Sequence, residues 1–392
     1  MTLLTDQPAP LPVPRHVGWG ATGLRNAWPV LIGLPIVLGL HFGFGTLYQG
    51  YATKLAIDVG IAIVLAVSLN IVNGYTGQFA IGHAGFMMLG GYVAAAITYY
   101  GSIRLYGTAQ PQGGILSWNY ALDLFRGTTF GRGEWLFVTA MLAGGLVAAV
   151  AGLLVGSPPL RLRGDYLAIV TLGFGEIVRV LFEYTYEQVP ASQVADTPVY
   201  KLAVSLGGSL GFNFAPAYTT IFWTYLVVLL TLVVAMRAKA SSLGRAYLSI
   251  REDEIAAEAM GVCTTRYKVQ AFVISAFFAG LAGALYAHQT PIKAGDLNFM
   301  KSFEIVIIIV LGGLGSISGA ILAAVVLTLL PELLRDLPGG VDRYRIIIYA
   351  LVLILVMILR PKGIFGTREI WEMWPFKLLR RKEPQMHADA RG

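Results

Sequence analysis

The sequence predicts an all-α, polytopic integral membrane protein with about ten membrane segments and both termini cytoplasmic, on three observations. The chain of 392 residues is 56% hydrophobic and only 13% charged, with a mean hydropathy of +0.66; a soluble chain carries about a quarter charged residues. Its apolar residues fall into runs near the roughly 20 that cross the hydrocarbon core as a helix. Its charges gather in the gaps between those runs, so the formal net charge of +7 reads as membrane topology. A nucleic-acid binder would instead show a contiguous basic face on a soluble domain. The single cysteine, Cys263, excludes an intrachain disulfide and a Cys-rich metal site.

Residues 1–27 are Pro-rich and lack the basic start and short apolar core of a cleaved signal, so they are expected to form a cytoplasmic tail. A transmembrane domain is expected over 28–365. Its apolar runs are Trp28–Leu47, Leu55–Val72, Phe79–Thr98, Trp135–Val155 and Tyr166–Phe182, then Thr220–Met236, Val269–Ala287, Phe303–Leu334 and Ile346–Leu359. The run from Phe303 is too long for one crossing, and its GGLGSISGA, Gly312 to Ala320, predicts a break. Lys and Arg concentrate in 157–165, 237–268 and the basic tail 366–392, which places these on the cytoplasmic side. Residues 99–134 form an outward insertion in this scheme. Small residues at four-residue spacing (Ala148, Gly152, Gly156; Ala276, Gly280; Ala279, Gly283) predict close helix packing.

Three stretches interrupt the apolar pattern. The first is NGYTGQFAIGHAGF, from Asn73. Unpaired backbone groups cost several kcal/mol in lipid, so irregular chain survives there only inside protein or along a wet cavity. Asn70, Asn73, Gly74, Thr76, Gly77, Gln78, Gly82 and His83 are therefore candidates for lining a translocation path. The second is the pair Glu176 and Arg179, three residues apart on one helical face in an apolar run. It is expected to lie near mid-membrane and to fix helix packing as an ion pair, a pathway role being the alternative. Lys54, Asp58, Lys301 and Glu304 are expected at the membrane interface. The third is REDEIAAEAMG, Arg251 to Gly261. It reads as a short helix with acidic first turns, Gly261 at its C′ position and an apolar face that suits a protein groove.

These stretches carry a family resemblance. SLNIVNGYTGQFAIGHAGFMMLGGY, PPLRLRGDYLAIVTLGFGEIVRVL, IREDEIAAEAMGV and VLGGLGSISGAILAAVVL with the later YRIIIYALVLILVMILRPKGIFG occur in one order. They resemble the permease subunits of bacterial branched-chain amino acid ABC transporters, most of all the M-type member of the permease pair, with urea and amide permeases as close relatives. The resemblance implies an inner-membrane transport subunit that is not itself an enzyme and binds no cofactor. It implies a second permease subunit, two cytoplasmic ATPase subunits that use the ATP, and a periplasmic substrate-binding protein. It also implies that Arg251, Glu252, Asp253, Glu254, Glu258 and Gly261 form the coupling loop that docks on the ATPases. No GxxxxGK[ST] phosphate-binding loop occurs in the chain. The alternatives are a urea or short-amide importer of the same family and an ion-coupled secondary transporter using Glu176 and Arg179.

Overall fold

The computed structural model describes residues 30–43, 50–112, 131–161 and 166–335, with scattered positions between 347 and 369. Expectations for the N-terminal tail, for the middle of the outward insertion (113–130), for most of the last apolar run and for the end of the basic tail lie outside the described residues. The described chain is helical: α1 (Val30–Gly43), α2 (Tyr51–Asn70), α3 (His83–Tyr106), α4 (Arg132–Gly156), α5 (Tyr166–Glu183), α6 (Val199–Val204), α7 (Ile221–Ala240), α8 (Ser242–Glu252), α9 (Glu254–Ala259), α10 (Thr264–Ala287), α11 (Phe299–Gly312) and α12 (Ile317–Arg335).

Six of these are long and apolar enough to cross a membrane: α2 with its continuation to Tyr75, α3, α4, α7, α10 and α12. That count is of the described residues, and most of the last apolar run lies outside them; three other expected runs form helices that are shorter or more charged. Helix α5 carries Glu176, Arg179 and Glu183, α11 has only 14 residues, and α1 is a short apolar helix.

The centre of the bundle is the α3–α4–α10 contact, and it is made by glycine. A Cβ on Gly280 would lie 2.6 Å from the Ala148 Cβ, and one on Gly152 2.7 Å from the Ala276 Cβ. A Cβ on Gly283 would collide with the Met87 carbonyl, and one on Gly90 with the backbone of Gly280. Between apolar helices in lipid, association comes from such close packing rather than from the hydrophobic effect. The spacing of small residues foretold this contact.

Helix α11 does not begin at a membrane surface. The chain leaves α10 at His288, whose Nε2 pairs with Thr98 Oγ1 at 2.7 Å. It then passes Tyr92, whose hydroxyl donates to the Ile292 carbonyl. At Ser302 it has reached Ala84, whose N–H donates to the Ser302 hydroxyl at 3.1 Å. From Thr98 to Ala84 along α3 is about 20 Å at 1.5 Å per residue. The segment after α10 therefore folds back into the bundle, and α11 starts inside it. The expected break is present, with α11 ending at Gly312 and α12 starting at Ile317.

Two substitutions test the central packing. Gly283→Val should cost about 1–3 kcal/mol or more by overpacking, read as a lower thermal midpoint in detergent. Gly173→Ala on α5, where a new Cβ meets nothing within 4 Å, should stay within about 0.5 kcal/mol of the parent.

Candidate functional site

Helix α2 ends in a π-helical turn, Ile71–Tyr75, and the chain is then unwound as far as Gly82. Gly77 sits at φ +70° in this stretch, a left-handed conformation that disfavours a side chain. The polar residues that drew attention to this segment hold it together. Asn70 accepts from the Gly315 N–H (2.9 Å) and donates to the Ser316 carbonyl (3.1 Å). Asn73 does the same across the unwound loop, accepting from the Ala80 N–H and donating to the Ala80 carbonyl. Thr76 donates to the Val72 carbonyl, and His83 Nε2 pairs with Ser68 Oγ at 3.0 Å. Gly74 and Gly82 allow contact with Gly315 and Thr171, whose backbones a Cβ would strike. Gln78 differs: both its amide atoms are buried without a hydrogen-bond partner. With Thr76 and Gly77 it lines a cavity of about 180 Å3 that also contains Arg251, Glu254 and Lys268.

The acidic stretch is two helices. Asp253, at φ −156° and ψ 111°, separates α8 from α9, and its carboxylate caps α9 by accepting from the Ile255 and Ala256 N–H groups. The expectation of one helix from Arg251 is corrected by this extended residue. Arg251 and Glu252 close α8, and Gly261 at φ +85° follows α9. Arg251 does not face outward with the acidic residues. Its Nη1 donates to the Gly74 carbonyl at 2.6 Å. Glu254 pairs with the buried Lys268 at 2.5 Å, and Glu258 accepts from the Thr264 hydroxyl. The surface left over joins Glu252, Asp253 and Glu258 to exposed Ile255 and Met260, which are 64% and 84% accessible.

The Glu176–Arg179 pair forms, at 2.7 Å, and Glu183 extends it at 2.8 Å on the same guanidinium. Glu176 Oε1 also accepts from the Phe299 N–H, so it caps the first turn of α11, where a carboxylate suits the positive end of the helix dipole. Lys54, Asp58, Lys301 and Glu304, expected at the interface, line one cavity between helices. Lys301 and Glu304 arrive there because α11 starts inside the bundle.

Two further residues belong to this hub and gave no sequence signal. Lys239, at the end of α7, donates to the Gly315 carbonyl (3.0 Å) and to Glu369 Oε1 (2.5 Å). Glu369 is 2% exposed and accepts from the Ile317 and Ser318 N–H groups and from the Ser318 hydroxyl. It thereby caps α12 from a stretch of chain that reads as a tail. Ile364, five residues earlier, donates its N–H to the Leu311 carbonyl. Burial alone would push the Glu369 carboxyl up, but Lys239 and the donors of Ile317 and Ser318 outweigh it and hold the group below its ordinary value.

Residues 51–357 match the model of the family described as branched-chain amino acid transport system / permease component. The chain belongs to this family. Among its relatives, the high-affinity branched-chain amino acid transport system permease protein LivM of Salmonella typhimurium is 37% identical over 78% of this chain and 67% of the relative. The Escherichia coli K12 LivM is 36% identical over the same shares. The LivH permease of E. coli K12 is 31% identical over 40% of this chain and 51% of its own length. No solved structure matches. The two LivM relatives thus align along most of the chain and the E. coli LivH along less than half.

Glu369→Ala should destabilise the permease by about 3–5 kcal/mol, the cost of removing one partner from a buried pair, measured as a fall in thermal midpoint. Because the folded-state group is depressed, its contribution is present at neutral pH, above the unfolded value, and is lost as pH falls through the lower folded value. The gap between parent and Glu369→Gln should therefore narrow on acidification.

Proposed function

We propose that the chain is one permease subunit of an ATP-driven importer for branched-chain amino acids in a bacterial inner membrane. It works with a second permease subunit, two cytoplasmic ATPase subunits and a periplasmic binding protein, and ATP is hydrolysed by the ATPases rather than by this chain. Both termini and the α8–α9 loop are cytoplasmic in this reading; α1, α5, α11 and the last apolar run add to the six long helices as membrane segments, and the total is about ten. Family membership and the transport role of the LivM and LivH relatives support the importer reading.

The observation that carries the mechanism is the Arg251–Gly74 hydrogen bond. It ties the helix next to an exposed apolar knob, Ile255 and Met260, to the unwound segment after α2. A groove on an ATPase would take up the α9 knob, with Glu252, Asp253 and Glu258 at its rim and Gly261 giving the sharp exit. When ATP closes the ATPases, α8 and α9 move, and Arg251 passes that motion to the Gly74 carbonyl. The translocation path runs past this segment. Thr76, Gly77 and Gln78 line it, while Asn70, Asn73, Gly74, Gly82 and His83 set its shape. Glu176 and Arg179 act structurally, since one caps α11 and the other neutralises it.

The test is reconstitution with the neighbouring transport subunits in proteoliposomes. ATP-dependent leucine uptake is expected; uptake by this chain alone, driven by an ion gradient, would overturn the reading. Met260→Asp should lower uptake at least tenfold and weaken co-purification of the ATPases, with unchanged membrane abundance because the residue is exposed. Arg251→Ala should leave the ATPases bound but hydrolysing ATP with at least fivefold less amino acid moved per ATP.

A further inference from the structure

A cavity of about 350 Å3 lies between α2, α10, α11 and α12, toward the start of α2 and the end of α12 and away from the Arg251–Gly74 contact. That volume is within the roughly 300–1,000 Å3 of small-molecule sites. Its upper wall bears charges of both signs: Lys54 and Asp58 from the first turns of α2, Glu332 from the last turn of α12, and Lys301 and Glu304 from the start of α11. Its lower wall is aliphatic, made by Ile61, Leu65, Met87, Ile305, Ile308 and Leu327. Below it, three residues beyond Leu65 and four before Met87, the Ser68–His83 hydrogen bond closes the bundle. The Gln78 cavity lies beyond that closure.

Charges are costly between membrane helices and face cavities or pathways when they occur there. Simple pairing accounts for Lys301 with Glu304, 2.9 Å apart, and for Glu332 with Arg335, 3.7 Å apart. It does not explain why three carboxylates and two ammonium groups share one cavity with an aliphatic floor. Pro331, which also lines the cavity, lies inside α12 and has no N–H for the Leu327 carbonyl four residues earlier. That adds a backbone acceptor at the junction of the charged and apolar walls. A neutral amide would use hydrogen-bonding groups but gain little from fixed charges of both signs.

The geometry points to this cavity as the receiving site for a zwitterionic α-amino acid with an aliphatic side chain, which it accepts before the Ser68–His83 closure opens. Lys54 and Lys301 hold the carboxylate, Asp58, Glu332 and the Leu327 carbonyl hold the ammonium group, and the aliphatic floor holds the side chain. The assignment rests on the importer reading above and adds to it where the substrate sits and why it must be charged at both ends.

The experiment uses the whole transport complex, assayed for uptake of radiolabelled isoleucine and valine. Ala62→Leu narrows the cavity at a partly buried position on α2, and should lower isoleucine uptake at least fivefold more than valine uptake. Asp58→Asn and Lys301→Gln should each lower maximal uptake of both at least tenfold at parental membrane abundance. If the charge variants fail to insert, the isoleucine-to-valine ratio of Ala62→Leu decides, because misfolding lowers both substrates together. A ratio within twofold of the parent overturns the site. Failure of the parent complex to take up either amino acid overturns the importer reading instead, and the two results are distinct.

Discussion

In an apolar medium no backbone N–H or carbonyl can be left without a partner, and among the described residues the helices break three times inside the bundle. The breaks are the unwound stretch before His83, the return after α10 and the turn between α11 and α12. Each is closed by side chains from elsewhere in the fold. Asn70 serves Gly315 and Ser316, Thr171 accepts from the Ile81 N–H, Ser302 from the Ala84 N–H, and Glu176 from the Phe299 N–H. Glu369 does the same for Ile317 and Ser318. The polar residues of a strongly apolar chain are concentrated where regular helix stops.

That closure also joins the moving parts. Arg251 and Lys239 donate to the carbonyls of Gly74 and Gly315, which are neighbours across the Asn70 clasp. The end of α7, the end of α8, the start of α12 and the unwound stretch therefore meet in one hub. A displacement of α8 cannot leave the Gly74 carbonyl in place without breaking a charge-assisted hydrogen bond, which is among the stronger kinds. By contrast, the α3–α4–α10 contact is glycine against backbone, without room for rearrangement. A rigid centre thus stands beside a polar, hydrogen-bonded hub.

Individual residues show how far one sequence reaches. Gly280 and Gly283 were legible as packing residues, because small side chains at helical spacing have few other uses in lipid. Glu176 and Arg179 were legible as a pair, because three-residue spacing suffices to bring them together. The start of α11 was not legible: nothing in its composition says that the chain turns back into the bundle after Ala287. For that reason the cavity that Lys301 and Glu304 line with Lys54 and Asp58 was not legible in the sequence. Glu369 was hidden for the same reason, since its partners are about 50 and 130 residues away in sequence.

What the sequence determined by itself was the membrane class, the long helices, the central small-residue contact and, through four ordered motifs, the family. These follow from composition and local spacing, which act over a few residues. What only the tertiary structure decided was the work of each polar group: that Arg251 faces the bundle, that Asn70, Asn73 and His83 hold a broken backbone, and that charges from α2, α11 and α12 surround one cavity. Those roles depend on which distant segments the packed helices bring within hydrogen-bonding reach, and a hydrogen bond spans about 3 Å whatever its separation along the chain.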